Sequence, residues 1–111
     1  MNDKELLELA AKAAGVKLDK WYESANAYLV VDVGAGTRIW WNPLTDDGDA
    51  LRLVVKLGIK SKFNSALNQA IAWYGYQRQD IHINLEDYNN DPYAATRRAI
   101  VRAAAEIGEM K

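Results

Sequence analysis

Three neighbouring aspartates, Asp46, Asp47 and Asp49, have the most metal-like spacing in the sequence. A calcium loop takes oxygen ligands from alternating positions and closes on a bidentate glutamate about twelve residues in. Here the next glutamate is Glu86, and a helical pattern begins at once. We therefore interpret the aspartates as the start of a helix, where carboxylates cap free N–H groups and favour the helix dipole. No metal site is predicted.

Acid–base chemistry could also involve the single histidine, His82. It alternates with Ile81 and Ile83, which is typical of a strand, and there is no second histidine to share a metal ion. A pair of carboxylates about 5–10 Å apart can hydrolyse glycosides. The carboxylates near this segment are Asp80, Glu86, Asp87 and Asp91. No nucleophile or acid that could work with His82 can be identified. We interpret the four carboxylates as a solvated acidic loop. We predict no catalytic residue and no cofactor.

Length and composition limit the classes of protein to consider. A chain of 111 residues, half of them hydrophobic and 26% charged, predicts one globular domain over residues 1–111. A net charge of −1 argues against coating nucleic acid through overall charge, and the absence of cysteine excludes thiol catalysis. No apolar stretch approaches the ~20 residues of a membrane span. The N-terminus does not have the pattern of a signal peptide, so we expect a cytoplasmic protein without a membrane partner.

Three segments have helical periodicity and helix-start residues: near 3–14, 47–57 and 92–107. Asn2 and Glu5 have the spacing of a capping box at the start of the first. Asp91 and Pro92 have the cap and first-turn positions of the last. We therefore expect about three helices.

Strands are predicted between these helices, and no internal repeat is apparent in the sequence. The predicted strands are Tyr28–Val33 and Thr37–Trp41, which form a hairpin, then 59–63, 70–77 and 80–86. The segment 65–77 also has partly helical spacing, so a further helix is the alternative there. Several strands have apolar residues on both alternating sets, which favours helices on both faces of the sheet. The predicted fold class is α+β, a three-layer α-β-α sandwich with an antiparallel or mixed sheet of four to five strands.

Three segments together resemble a known group of proteins: the N-terminal Leu/Glu/Ala helix, the Trp-Asn-Pro loop that leads into an acid-capped helix at 41–51, and the Asp-Pro-Tyr-Ala-Ala-Thr-Arg-Arg-Ala-Ile helix start at 91–100. They resemble the phage ABA (alpha-beta-alpha) sandwich domain proteins, which are small accessory proteins of tailed bacteriophages and prophages. The resemblance covers nearly the whole chain. It implies the three-layer fold and a phage origin, and it implies no enzymatic activity and no site residues.

Tryptophan and tyrosine are unusually frequent, with four and six residues against one phenylalanine. These side chains combine apolar area with a polar group, which suits interfaces. In a strand, adjacent aromatic residues point to opposite faces, so part of the set can lie outside the core. The candidate partner interface is Tyr22, Trp40, Tyr74 and Tyr76. Core and interface remain alternative interpretations of these residues.

Two basic stretches give an alternative function. Lysine and arginine beside aromatic side chains can bind single-stranded nucleic acid by phosphate contacts and base stacking. The candidate contacts are Lys60, Lys62, Arg98 and Arg102. Each basic stretch is offset by an acidic one, so nucleic acid is the less favoured partner.

These observations favour a small non-enzymatic accessory protein that binds a host or phage protein in the cytoplasm during infection or lysogeny. Inhibition of a host defence or regulatory factor is one form that such binding can take. A symmetric homodimer is the minimal version of a partner interface. A nucleic-acid-binding accessory protein is the alternative, and a small enzyme ranks third.

Overall fold

The computed structural model describes residues 1–31, 36–75 and 79–111. The elements follow in the order α1 (Asp3–Ala14), β1 (Leu18–Tyr22), β2 (Ala27–Val31), β3 (Arg38–Trp41), α2 (Asp47–Leu57), β4 (Lys60–Asn64), β5 (Gln69–Tyr74), β6 (Gln79–Asn84), a short 3-10 helix (Leu85–Tyr88) and α3 (Pro92–Glu109). The α+β class and the three predicted helices are confirmed. Segment 65–77 contains the strand β5 rather than a further helix, although its residues 76–78 lie outside the described part of the chain.

The helices begin at the predicted caps. The Asn2 side chain accepts a hydrogen bond from the Glu5 amide at 2.8 Å, and Asp46 accepts one from the Asp49 amide at 2.8 Å. Asp91 accepts hydrogen bonds from two amides of the first turn of α3, and Pro92 occupies the first helical position. Asp46 therefore does what the sequence predicts for the acidic residues at the start of α2, which is to satisfy a free amide of the first turn.

Within the described residues, six strands form two antiparallel sheets, β1-β2-β3 (sheet 1) and β4-β5-β6 (sheet 2). The prediction of one sheet with four to five strands is wrong, because the strands divide into two sheets of three. The predicted hairpin is present as β2 and β3, although residues 32–35 of its turn are outside the described residues. The strand missed by the sequence pattern is β1, whose pairing with β2 is interrupted by an irregularity between Leu18 and Lys20. That irregularity breaks the two-residue alternation by which a strand is recognised.

One face of each sheet contributes to the core. In sheet 2 this face carries Ala70, Ala72, Ile81 and Ile83, which lie against α3. In sheet 1 it carries the core side chains Tyr28, Val30 and Trp41. Most side chains on the opposite, outer faces are exposed or half-buried. Among the residues that the structure describes, no helix combines the length and apolar character needed to cross a bilayer.

The structure shows an internal repeat that the sequence does not display: α1-β1-β2-β3 (unit 1) is followed by α2-β4-β5-β6 (unit 2). In both units a left-handed glycine ends the helix, Gly15 at φ 73° and Gly58 at φ 67°. The residue after each glycine then donates its amide to the fifth residue back, Val16 to Ala11 and Ile59 to Val54. The residue before the second strand of each unit is also equivalent, because Asn26 and Asn68 have φ values of 49° and 50°.

The strand registers of the two units also correspond. The cross-strand row Lys20, Leu29, Trp40 of sheet 1 matches the row Lys62, Ile71, His82 of sheet 2. Trp40 and His82 are therefore equivalent positions on the outer faces of the two sheets. Unit 1 differs from unit 2 at this position, because it has the exposed Trp40 where unit 2 has the polar His82.

Candidate functional site

Two of the predicted interface residues, Tyr22 and Trp40, meet on the outer face of sheet 1. Their rings are 5.4 Å apart at an interplanar angle of 80°, an edge-to-face contact. The Lys20 ammonium lies 5.1 Å from the centre of the Tyr22 ring. Trp40 is nevertheless 53% exposed. We call Lys20, Tyr22, Leu29 and Trp40 the sheet 1 patch.

The contact depends on a small residue in the middle strand. Tyr22 and Trp40 belong to β1 and β3, which flank β2 and do not pair with each other. Ala27 of β2 is the cross-strand partner of Tyr22, and its methyl group leaves space above the strand for the two rings to meet. The patch is therefore a product of sheet register and cannot be derived from the spacing of its residues in the sequence.

The other two predicted interface residues have different positions. Tyr74 is half-buried on the inner face of sheet 2, where its hydroxyl donates to the Glu106 carboxylate at 2.9 Å. Burial, and then the hydrogen bond to Glu106, raise the pKa of Tyr74 above its ordinary value. Tyr76 lies outside the described residues. The structure therefore brings together Tyr22 and Trp40 and places Tyr74 with the core.

The four predicted nucleic-acid contacts lie in different surroundings. Lys60 and Lys62 are exposed on β4, where Lys60 is the cross-strand partner of Trp73 and Lys62 that of Ile71. Arg98 is engaged on α3, because its guanidinium binds Asp3 at 2.9 Å and lies over the Tyr88 ring. Arg102 is exposed on the same helix and lines a groove with Arg98.

The three aspartates singled out for metal chemistry have structural partners. Asp47 binds Arg97 at 2.7 Å, and Asp46 caps α2. The buried Asp49 accepts from the Asn42 amide at 2.9 Å and from Arg52 at 2.9 Å. Burial raises the pKa of Asp49, with a smaller contribution in the same direction from the charge of Asp46.

His82 belongs to a row of polar side chains on the outer face of sheet 2. Its Nδ1 lies 3.4 Å from the side-chain oxygen Oε1 of Gln69, and the side-chain Nε2 of Gln69 donates to Asn84 Oδ1 at 2.9 Å. The other ring nitrogen is 3.9 Å from the Asp80 carboxylate. His82 is exposed, so unit 2 has an exposed polar side chain at the position where unit 1 has Trp40.

Sequence reasoning missed a second feature of sheet 1, the space between β3 and α2. Asn42, in the Trp-Asn-Pro loop, holds β3 to α2 and to the preceding hairpin, since its amide donates to Asp49 and its side chain donates to the Asn26 carbonyl at 2.9 Å. Two grooves lie on either side of this connection, and both include Ile39, Asp49 and Arg52 in their walls. The signal in the sequence was Asn42 itself, a polar residue between Trp41 and Pro43.

Comparison of the chain with protein-family models, with curated proteins and with solved structures finds no match in any of the three. What the protein does must therefore be inferred from its own residues.

Proposed function

We propose that this chain is a non-enzymatic binding domain that engages a partner protein through the sheet 1 patch. Trp and Tyr are the side chains most often found to dominate protein interfaces, together with Arg. The patch has a Trp and a Tyr in contact. Arg38 lies two residues before Trp40 in β3, where it is paired with Asp19 at 2.6 Å. The aspartates whose spacing could suggest a metal site are used by a helix cap and by ion pairs, which supports a binding role over a metal-dependent one.

The observation that carries this proposal is the combination of exposure and restraint at Trp40. An indole that is 53% exposed leaves a large apolar area in water. The Tyr22 ring limits the rotamers of that indole before any partner arrives, so less side-chain entropy is lost on binding. At the equivalent position in unit 2 the residue is His82, so the tryptophan is not a requirement of the fold.

We further propose the phage context that the resemblance implies, with the partner a host or phage protein in the cytoplasm. The support is the Trp-Asn-Pro loop and the Asp-Pro helix start, which here close β3 onto α2 and begin α3. Inhibition of a host defence or regulatory factor is the form of binding we favour. The α-β-α layering implied by the same resemblance stays a prediction.

Single-stranded nucleic acid on the outer face of sheet 2 is the second candidate. The observation in its favour is that Lys60 and Trp73 are cross-strand partners on that face, so that a cation and a ring are adjacent. The ion pair between Arg98 and Asp3 weakens this candidate, because it already uses one of the four cations.

The test of the proposed function is a comparison of three tagged proteins in quantitative capture from bacterial lysate. The three proteins are wild type, Trp40→Ala and Val55→Ala. Val55→Ala is the control, because it truncates an exposed side chain of α2 that is outside the patch. We expect proteins retained by wild type and by Val55→Ala to be lost by Trp40→Ala. Retention of the same proteins by Trp40→Ala would contradict the proposal.

A further inference from the structure

The two sheets present four edge strands, and they differ in how they are protected against pairing with another chain. Charged side chains and irregular pairing are the usual protection. In the described residues, β1 has a register irregularity and the exposed Lys20, β4 has the exposed Lys60 and Lys62, and β6 has the exposed Asp80 and His82.

Edge strand β3 has the least of this protection. Its one charged residue, Arg38, is paired with Asp19 at 2.6 Å, and Ile39 and Trp40 are 45% and 53% exposed. An edge with exposed apolar side chains invites the addition of another strand. Among the four edges, β3 is therefore the one on which a strand can be added at the lowest electrostatic cost.

The direction of the main-chain groups of β3 follows from Asn42. Its amide donates to the Asp49 carboxylate of α2 rather than to the main chain of β2. Since amide and carbonyl groups alternate in direction along an antiparallel strand, those of Trp40 and Arg38 point to the same side as the Asn42 amide. The unpaired edge of β3 thus presents the main-chain groups of Arg38 and Trp40 towards the side on which α2 begins.

The space beside this edge is a trough made of two grooves. The groove of about 470 Å³ at the Asn42 end includes Trp40 and Asp46, and the groove of about 530 Å³ at the Arg38 end includes Val30, Leu53 and Lys56. The second is mostly apolar at its base, with Arg52 and Lys56 at its rim. The trough therefore has an acidic end and a basic end, with an apolar floor near the basic one.

We infer that an extended segment of the partner protein adds to sheet 1 as a fourth strand, antiparallel to β3. This inference rests on the proposed function and specifies how the partner binds. The added strand pairs with the main chain of Arg38 and Trp40, as in other complexes formed by strand addition. An apolar side chain of the segment contacts Val30 and Leu53, and an acidic side chain towards its C-terminal end lies by Arg52 and Lys56.

The test begins from a displayed library of random linear peptides of about ten residues, the length of a long strand. The best binders are synthesised and added to isotopically labelled protein. We expect them to share an apolar residue followed by an acidic one. We also expect amide hydrogen exchange at Arg38 and Trp40 to slow by about tenfold or more in their presence, because an added strand protects these amides.

Two charge-introducing variants provide the matched control. Ile39→Lys places a charge on the least protected edge and should weaken peptide affinity about tenfold or more. Val55→Lys introduces the same charge on α2 at a side chain that is 75% exposed, and should leave affinity unchanged.

The other outcomes separate this inference from the proposed function. If peptides shift the Trp40 indole resonance but leave exchange at Arg38 and Trp40 unchanged, strand addition is wrong and side-chain binding at the patch stands. If the free protein sediments as a dimer with these two amides already protected, the occupant is a second copy, and the inference of a partner segment is overturned. If no peptide is selected, the inference fails, while loss of captured proteins by Trp40→Ala still tests the proposed function.

Discussion

Gly108 of α3 lies against the main chain of Leu9 in α1. A Cβ atom at position 108 would collide with the Leu9 carbonyl group, whose carbon is 2.9 Å from where that atom would stand. Alanines continue this close contact along the buried side of α3, and α1 contributes Ala10 and Ala11 to the same core. The two helices therefore pack at a distance that depends on the absence of one methyl group.

Gly108→Ala is accordingly expected to lower the free energy of unfolding by about 1–3 kcal/mol, since overpacking a closed contact forces the helices apart. Arg102→Ala is the control, because Arg102 is exposed on the same helix and should change stability by about 0.5 kcal/mol or less. Urea denaturation of the three proteins measures both values. Equal stability of Gly108→Ala and wild type would contradict the close packing of α1 and α3.

The adjacent tryptophans of β3 give a second pair of variants. Trp41 is 6% exposed in the core and Trp40 is 53% exposed. Trp41→Ala should cost about 3–5 kcal/mol of unfolding free energy, whereas Trp40→Ala should cost about 1 kcal/mol or less. If denaturant unfolding shows the same large loss for both, Trp40 is a core residue and the binding surface is wrongly placed.

Asp49 gives a prediction on pH. Its pKa is raised by burial, so the native state holds the proton more tightly than the unfolded chain does. The corresponding stability is complete below the ordinary pKa of an aspartate and is lost as the pH rises through the raised pKa of the folded protein. Asp49→Asn has no such proton to lose.

The stability of Asp49→Asn relative to wild type should therefore increase as the pH rises from about 3 to about 7. Urea denaturation of both proteins at several pH values in this range measures the difference. A difference that stays constant with pH, or that falls, would contradict the raised pKa.

Nucleic-acid binding is expected to be absent under physiological conditions. At about 150 mM salt, where exposed charges are screened beyond about 8 Å, the protein should not retard single-stranded or duplex DNA in a gel. Micromolar binding that weakens steeply with added salt would reverse the order of the two candidate functions. Alanine variants of Lys60, Lys62, Arg98 and Arg102 would then locate the contact.

The helices and part of the candidate site could be predicted from the sequence. Helix ends are fixed by local groups such as Asp46, Asp91 and Gly58, so their positions follow from residue type. Trp40 belongs to the four aromatic residues of which the sequence predicts that part lies outside the core, because an adjacent pair in a strand must point to opposite faces. These features depend on neighbours within a few residues.

What the sequence did not reveal depends on register between strands. The Tyr22–Trp40 contact needs Ala27 beneath it. The division into two sheets depends on β3 and β4, the strands on either side of α2, belonging to different sheets. The repeat of the two units is carried by backbone positions such as Asn26 and Asn68, whose neighbours differ in chemistry. For the same reason Tyr74 could not be assigned to the core from its adjacent aromatic residues.

The central claim, that a partner protein binds at Trp40, is tested most directly by site-specific photo-crosslinking. A photoreactive phenylalanine analogue replaces Trp40 in one protein and Val55 in another, both exposed positions, and each is irradiated in bacterial lysate. The account predicts a discrete crosslinked protein from position 40 and none from position 55. The same crosslinked protein from both positions, or a discrete product from position 55 alone, would contradict it.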